Sequence, residues 1–180
     1  MGQPSNSASS RSLRSRVPAL AAAAFVTAML GCASGGQAGA HSETLSRELE
    51  TTVARYISSS NTHDANVLAA HFDADADMIM GTGPILEGRT AIGAWWRAYF
   101  AAQEPERELT IEMLSTRSIT TDVALINVRT TTGGRTDRGV ELPPRRARGT
   151  WVLVHQDGQW HISSMRGMPT RQDQIIRSRG

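Results

Sequence analysis

The spacing of the apolar residues changes at Pro105 from a helical period to a strand period. Before Pro105, apolar residues recur every three or four positions, as on one face of a helix. After it they alternate with other residues, as on one face of a strand. Helices followed by a run of strands are typical of an α+β domain, in which the sheet must curl around the helices to bury one face. We therefore predict one such domain over residues 43–170.

Three helices are predicted in the first part of this domain. The first starts at Glu43, the second is capped by Asp64, and the third starts at Gly88. A short strand, Met78–Met80, and a glycine turn at residues 81–84 lie between the second and the third. The apolar positions that mark the helices are Leu45, Leu49, Val53, Tyr56 and Ile57, then Leu68 and Phe72, then Ile92, Trp96, Tyr99 and Phe100.

The second part of the domain predicts a run of antiparallel strands that forms one curved sheet. Residues 156–159 supply a turn into the last strand, and the arginine-rich residues 133–148 are predicted to form a long hairpin loop. The apolar residues that alternate with their neighbours are Leu109, Ile111 and Met113, then Ala124, Ile126 and Val128, then Trp151 and Leu153 with His155, and the last strand contains Trp160, His161 and Ile162.

The first 32 residues have the parts of a secretory signal peptide. Arg11, Arg14 and Arg16 give a positive start, and residues 17–30 form an apolar segment that is shorter than the roughly 20 residues needed to span a bilayer. Cys32 follows directly, where bacterial lipoproteins carry a lipid-modified cysteine. Export is therefore predicted.

Two outcomes of processing are open. Lipid attachment at Cys32 would give a membrane-anchored lipoprotein, whereas ordinary cleavage near Ala40 would give a free periplasmic or extracellular protein. In both cases residues 33–42, rich in Ala, Gly and Ser, are predicted to be a flexible tether, and residues 171–180 a C-terminal tail.

Composition excludes several kinds of chemistry. All 19 basic residues are arginine, so a Walker lysine and Schiff-base catalysis are absent. Cys32 is the only cysteine, which leaves the mature domain without a disulfide, a zinc knuckle or a cysteine nucleophile. The formal net charge of +2 falls to about −1 when the three leader arginines are removed, which argues against a nucleic-acid partner.

Several short segments occur in a specific order between residues 43 and 170. They are Tyr56, His63-Asp64, Leu68, residues 72–77, Glu87-Gly88-Arg89, Ile92, residues 148–154 and residues 157–162. Together they resemble the nuclear transport factor 2-like superfamily, which includes ketosteroid isomerase and SnoaL-type cyclases, and within it the SgcJ/EcaC group of small bacterial proteins. The resemblance implies a cone of bent sheet and three helices around a deep pocket, and a homodimer formed through the outer face of the sheet.

The chemistry of ketosteroid isomerase carries over only in part. Tyr56 falls at the position of that family's oxyanion donor. The family's aspartate base would fall near Met80, and its protonated aspartate near Gly149 or Thr150, so both carboxylates are missing. Without a base no proton can be moved from carbon, and steroid isomerisation by that route is not expected.

Three residues are candidates for catalysis in the implied pocket, namely Tyr56 as a proton donor with Asp77 or His161 as the base. Each has a structural alternative, because Tyr56 fits a core position, Asp77 follows two capping aspartates, and His161 fits a solvent-facing strand position. The residues predicted to line the pocket are Met80, Trp96, Tyr99, Thr150 and Val152.

No metal ion or cofactor is predicted. Asp73, Asp75 and Asp77 imitate the start of a calcium loop, but Met78 and Pro84 stand where that loop needs a glycine and a bidentate glutamate. The spacings of the histidines do not demand zinc either.

Three function classes stay open. The first is a pocket that binds a small, largely apolar molecule without converting it, which the surplus of Met, Trp, Tyr and Phe favours. The second is a cofactor-free isomerase, cyclase or hydrolase that uses Tyr56 with Asp77 or His161. The third is an interaction module of the cell envelope, whose sheet binds a second copy or another partner.

Overall fold

The computed structural model describes residues 34–170, with side chains from Ser42 onward. The elements in chain order are α1 (Ser34–Asn61), α2 (Ala65–Ala69), β1 (Phe72–Met80), β2 (Leu86–Glu87), α3 (Gly88–Ala102), β3 (Arg107–Ser118), β4 (Val123–Arg135), β5 (Glu141–Gln156) and β6 (Gln159–Pro169). The predicted leader, with Cys32, and the predicted tail at residues 171–180 lie outside the described residues.

The first helix is longer than the sequence predicted. It buries the expected stripe, including Leu49 and Tyr56, but it begins at Ser34, whereas residues 33–42 were expected to form a flexible tether. No proline interrupts residues 34–42, and an existing helix adds one hydrogen bond for each residue it takes up. The segment therefore continues α1 as helical backbone.

The second helix is short and capped as predicted. Asp64 Oδ1 accepts hydrogen bonds from the backbone nitrogens of Asn66 at 2.8 Å and Val67 at 3.2 Å. Leu68 and Phe72 are fully buried, but Phe72 is the first residue of β1 and does not belong to the helix. The periodic pattern therefore located both core positions and placed the end of the helix too late.

The six strands form one sheet in the order β2-β1-β6-β5-β4-β3. Strands β3 to β6 pair in antiparallel fashion, as predicted, whereas β1 pairs with β6 in parallel. The sheet is therefore mixed, which corrects the wholly antiparallel prediction. The parallel pair is possible because β2, α3 and the strands β3 to β5 lie between β1 and β6 in the chain and supply the long crossover that parallel neighbours need.

The predicted loop at residues 133–148 is mostly strand. Strand β4 runs to Arg135 and β5 starts at Glu141, and these two residues are paired. A register shift between Thr132 and Gly134 faces the region of Pro143 and Pro144, which have no N–H to donate to the ladder. Only residues 136–140, which include Arg138, form the loop, whereas Arg135, Arg145, Arg146 and Arg148 are residues of the paired strands.

The inner face of the curved sheet has two different ends. We call one the closed end, defined by Ile126, Leu153 and Ile162, which are fully buried in one core cluster with the apolar stripe of α1. We call the other the open end, defined by Thr130, Ala147 and Gly167, which line a cavity. In residues 34–170 no helix combines the length and the apolar character needed to cross a bilayer.

Candidate functional site

A cavity of about 330 Å³ lies between α3 and the open end of the sheet. The end of α1 contributes Ser60 and Asn61, and β1 contributes Met80. Asn61 is held in place because its side chain accepts from Leu109 N at 2.8 Å and donates to Leu109 O at 3.3 Å. The volume lies within the roughly 300–1,000 Å³ typical of small-molecule pockets.

Aromatic rings form the helical wall of this cavity. Trp95 and Tyr99, one turn apart on α3, stack with ring centroids 5.2 Å apart and an interplanar angle of 13°. Trp96 also lines the cavity and meets Trp95 edge to face, with centroids 4.8 Å apart. These rings offer a ligand a broad and rigid apolar surface.

An arginine cluster borders the other side of the cavity. Arg107 is only 3% exposed, and its guanidinium donates to Glu104 Oε2 at 2.5 Å and to Pro143 O at 3.0 Å. Arg145 reaches the same Glu104 oxygen at 3.3 Å. The hydrogen bond from Arg107 is the largest cause that lowers the pKa of Glu104 to about 2, so this carboxylate stays ionised.

Two polar atoms of the cavity wall are buried and have no hydrogen-bond partner, Trp96 Nε1 and Gln103 Oε1. Trp96 is 6% exposed, and its indole nitrogen is among its buried atoms. Buried polar groups in native proteins are nearly always paired, and an exception calls for an explanation. Here both atoms belong to residues that border the same empty space.

Comparison with known proteins identifies the family. The family model of the SnoaL-like domain matches residues 49–167, which is most of the chain. The chain belongs to the SnoaL-like domain family. No curated protein sequence matches it. The narrower likeness to the SgcJ/EcaC group stays a prediction.

Solved structures support the same fold for this SnoaL-like domain. It superposes on Aln2 from a Streptomyces species with a TM-score of 0.65 and 20% identity, covering 75% of this chain and 96% of that one. For an NTF2-like protein with a cystatin-like fold from Novosphingobium aromaticivorans the values are 0.60, 15%, 83% and 97%. For a ketosteroid isomerase-like protein from Erwinia carotovora atroseptica they are 0.57, 15%, 68% and 94%. Identities this low show the fold alone.

The SnoaL-like domain does not bring the three predicted catalytic residues together. Tyr56 is 2% exposed and packs at the closed end against Trp151, with ring centroids 4.8 Å apart. Burial raises the pKa of Tyr56 far above its ordinary value, so the phenol stays protonated. Tyr56 is not among the described residues that line the cavity.

Asp77 and His161 do not line the cavity either. Asp77 lies on the outer face of the sheet, where Arg166 donates to its carboxylate. Burial acts to raise the pKa of Asp77, but hydrogen bonds from Arg166 and Ser164 outweigh it and lower the pKa. His161 alternates along β6 with the buried Trp160 and Ile162, so strand geometry directs it away from the core side.

The predicted lining is partly present. Met80, Trp96 and Tyr99 line the cavity, whereas Thr150 and Val152 do not. Both flank the buried Trp151 on β5, so alternation directs them to the outer face, where Thr150 Oγ1 donates to Asn127 Oδ1 at 2.7 Å. The homodimer implied by the resemblance would use this face, and it stays a prediction.

Sequence reasoning missed Gln103, Arg107 and Arg145 as members of the site. Gln103 and Arg107 lie on either side of Pro105, the helix stop, and Arg145 was assigned to a loop. A signal was present in the alternation of β5, since Arg145 has the same parity as the inward residues Trp151 and Leu153. Among residues 34–170 no group of His, Cys, Asp and Glu is arranged to hold a metal ion.

Proposed function

We propose that this SnoaL-like domain binds a small, largely apolar molecule in the cavity between α3 and the open end of the sheet. The observation that carries the proposal is a cavity of about 330 Å³ whose helical wall is the ring cluster of Trp95, Trp96 and Tyr99. A pocket of this kind, mostly apolar with a few polar atoms, is the usual form of a small-molecule site.

Binding without conversion is favoured over catalysis by the placement of the ionisable groups. General acid-base catalysis needs groups within hydrogen-bond reach of one substrate, and Tyr56 and Asp77 lie on opposite faces of the sheet. His63 lines the cavity, but its Nε2 is 3.0 Å from the carbonyl oxygen of Arg107 and serves to hold that strand. No Asp or Glu occurs among the described residues that line the cavity.

A substitution that fills the cavity tests the proposed binding site. Ala147→Phe places a ring in the open end, and Ala54→Phe, at an exposed position of α1, is the matched control. We expect indole and 2-naphthol at millimolar concentration to raise the unfolding temperature of the wild type and of Ala54→Phe, and to leave that of Ala147→Phe unchanged. Equal shifts of the unfolding temperature in all three proteins would contradict the proposal.

We also propose that the domain is exported and held at a membrane by a lipid on Cys32. The positive start, the apolar segment and the cysteine directly after it support this proposal. Cys32→Ser should move the protein from the membrane fraction to the soluble fraction and remove the mass of the lipid, while Ser34→Ala should change neither. If Cys32→Ser fractionates like the wild type, the lipid anchor is wrong.

A further inference from the structure

We propose, on the basis of the binding function above, that the ligand of this cavity is a flat aromatic carboxylate that carries a hydroxyl group. Three features of the cavity wall lead to this class of molecule. They are the stacked rings of α3, an excess of positive charge, and the two unpartnered polar atoms of Trp96 and Gln103.

The excess of positive charge comes from Arg107 and Arg145. Arg107 and Arg145 share the single carboxylate of Glu104, so two guanidinium groups face one negative charge. Arg107 is buried and its donors are occupied by Glu104 and by two carbonyl oxygens, whereas Arg145 is 41% exposed and borders the cavity. A planar guanidinium in this position matches a carboxylate, which can accept two parallel hydrogen bonds from it.

The two unpartnered atoms differ in the hydrogen bond that each can make. An indole N–H can only donate and an amide oxygen can only accept, so Trp96 requires an acceptor and Gln103 a donor. A carboxylate supplies only acceptors, so it cannot satisfy Gln103. A hydroxyl group supplies the missing donor, and its oxygen can also accept.

The placement of the two residues allows one molecule to meet both atoms. Trp96 lies on α3, Gln103 is the C-cap residue directly after it, and both line the same cavity. Trp95 and Tyr99 present their ring stack on the same wall. A flat ring system that lies along α3 would contact these rings while its polar groups reach Gln103 and Arg145.

The test uses three probes that differ by one group each. 4-Hydroxycinnamate carries both groups, cinnamate lacks the hydroxyl, and 4-hydroxycinnamyl alcohol lacks the charge. Titration calorimetry on the full exported chain should give 4-hydroxycinnamate the tightest binding. We expect each single removal to weaken binding about tenfold, as the loss of one well-placed polar contact does.

Variants assign each preference to its residue. Arg145→Gln should bring 4-hydroxycinnamate to the affinity of the alcohol, while Arg148→Gln, which removes the same charge from the outer face of β5, should keep the difference. Gln103→Leu should bring 4-hydroxycinnamate to the affinity of cinnamate. Trp96→Phe should weaken all oxygen-bearing probes if it folds, and Gln103→Leu tests the same argument at a half-buried position if it does not.

The two proposals fail in different ways. If the alcohol binds as tightly as 4-hydroxycinnamate, or if Arg145→Gln leaves their ratio unchanged, the carboxylate is wrong and the binding function stands. If cinnamate equals 4-hydroxycinnamate, the hydroxyl group is wrong. If none of the three probes binds and indole and 2-naphthol fail as well, the binding function itself is wrong.

Discussion

The closed end and the open end are built from the same three strands, β4, β5 and β6, yet one is solid and the other is hollow. At the closed end, Ile126, Leu153 and Ile162 fill the inner face and meet the apolar stripe of α1. At the open end, the inner face carries small or polar residues and the ring cluster of α3 stands opposite. The size of the residues on one face of a sheet therefore decides where the domain is closely packed and where it has room for a ligand.

Gly167 illustrates how the open end depends on small residues. A Cβ atom at this position would lie 2.7 Å from Met80 Sδ, well inside contact distance. The glycine lets Met80 pass close to β6 and form part of the cavity wall. Stability and binding are therefore expected to respond to different substitutions in the two ends.

The largest expected effect is a difference in stability between a substitution at the closed end and one at the open end. Phe72 is fully buried at the closed end, so Phe72→Ala should lower the free energy of unfolding by about 3–5 kcal/mol. Leu109 is half-buried and borders the cavity, so Leu109→Ala should cost about 1 kcal/mol because less packed surface is lost. Urea denaturation followed by circular dichroism measures both values.

The affinity for a ligand is the control measurement for Phe72→Ala and Leu109→Ala. Phe72→Ala should leave the affinity for an apolar probe unchanged at temperatures where the variant is folded, whereas Leu109→Ala should alter it. If Phe72→Ala and Leu109→Ala lower the free energy of unfolding equally, the open end is packed as tightly as the closed end. The proposed difference between the two ends would then be wrong.

The sequence predicted the closed end well and the open end poorly. Periodicity located Leu49, Ile126 and Ile162 because each must face inward for a stripe or an alternation to be continuous. The same alternation excludes Thr150 from the inner face once Trp151 occupies it. The parallel pairing of β1 with β6 has no local signature, because it depends on a crossover of many residues.

The cavity could not be derived from pattern alone. The alternation of apolar residues predicts which side chains face a helix, but it does not predict the distance between the sheet and that helix. The separation depends on the size of Trp95, Trp96 and Tyr99 together and on the place where α3 stops before Pro105. Resemblance placed Tyr56 in a pocket that, in this chain, is filled by Trp151 and Phe72.

A smaller effect is expected at the edge of the open end. Glu104→Gln removes the negative charge shared by Arg107 and Arg145 and leaves the buried Arg107 without a counter-charge. Because Glu104 is partly exposed, solvent screens the loss, and we expect a destabilisation of about 1–2 kcal/mol. Glu104→Gln should at the same time strengthen the binding of an aromatic carboxylate, since Arg145 is released.

The pH dependence of this variant follows from the lowered pKa of Glu104. The pKa is about 2 in the folded protein against an ordinary value of 4.5, so ionised Glu104 stabilises the fold above about pH 4.5. That contribution is lost as the pH falls from about 4.5 towards 2. The stability difference between wild type and Glu104→Gln should shrink over this range, and a constant difference would contradict the ion pair.

The smallest effect is expected on the outer face, at Asp77. Its carboxylate pairs with Arg166 in a partly exposed position, so Asp77→Asn should cost only about 0.2–1 kcal/mol. The lowered pKa of Asp77 means that this contribution is present above its ordinary value of 3.8 and disappears as the pH falls below it. Thermal unfolding at pH 7 and at pH 3 measures the cost of the substitution and its dependence on pH.

Because Asp77 and the cavity lie on opposite faces of β1, the affinity of Asp77→Asn for every probe should stay at the wild-type value. Thr150→Val, a neighbouring variant on the outer face, is the control. If Asp77→Asn loses affinity for a probe and Thr150→Val does not, Asp77 contributes to ligand binding after all.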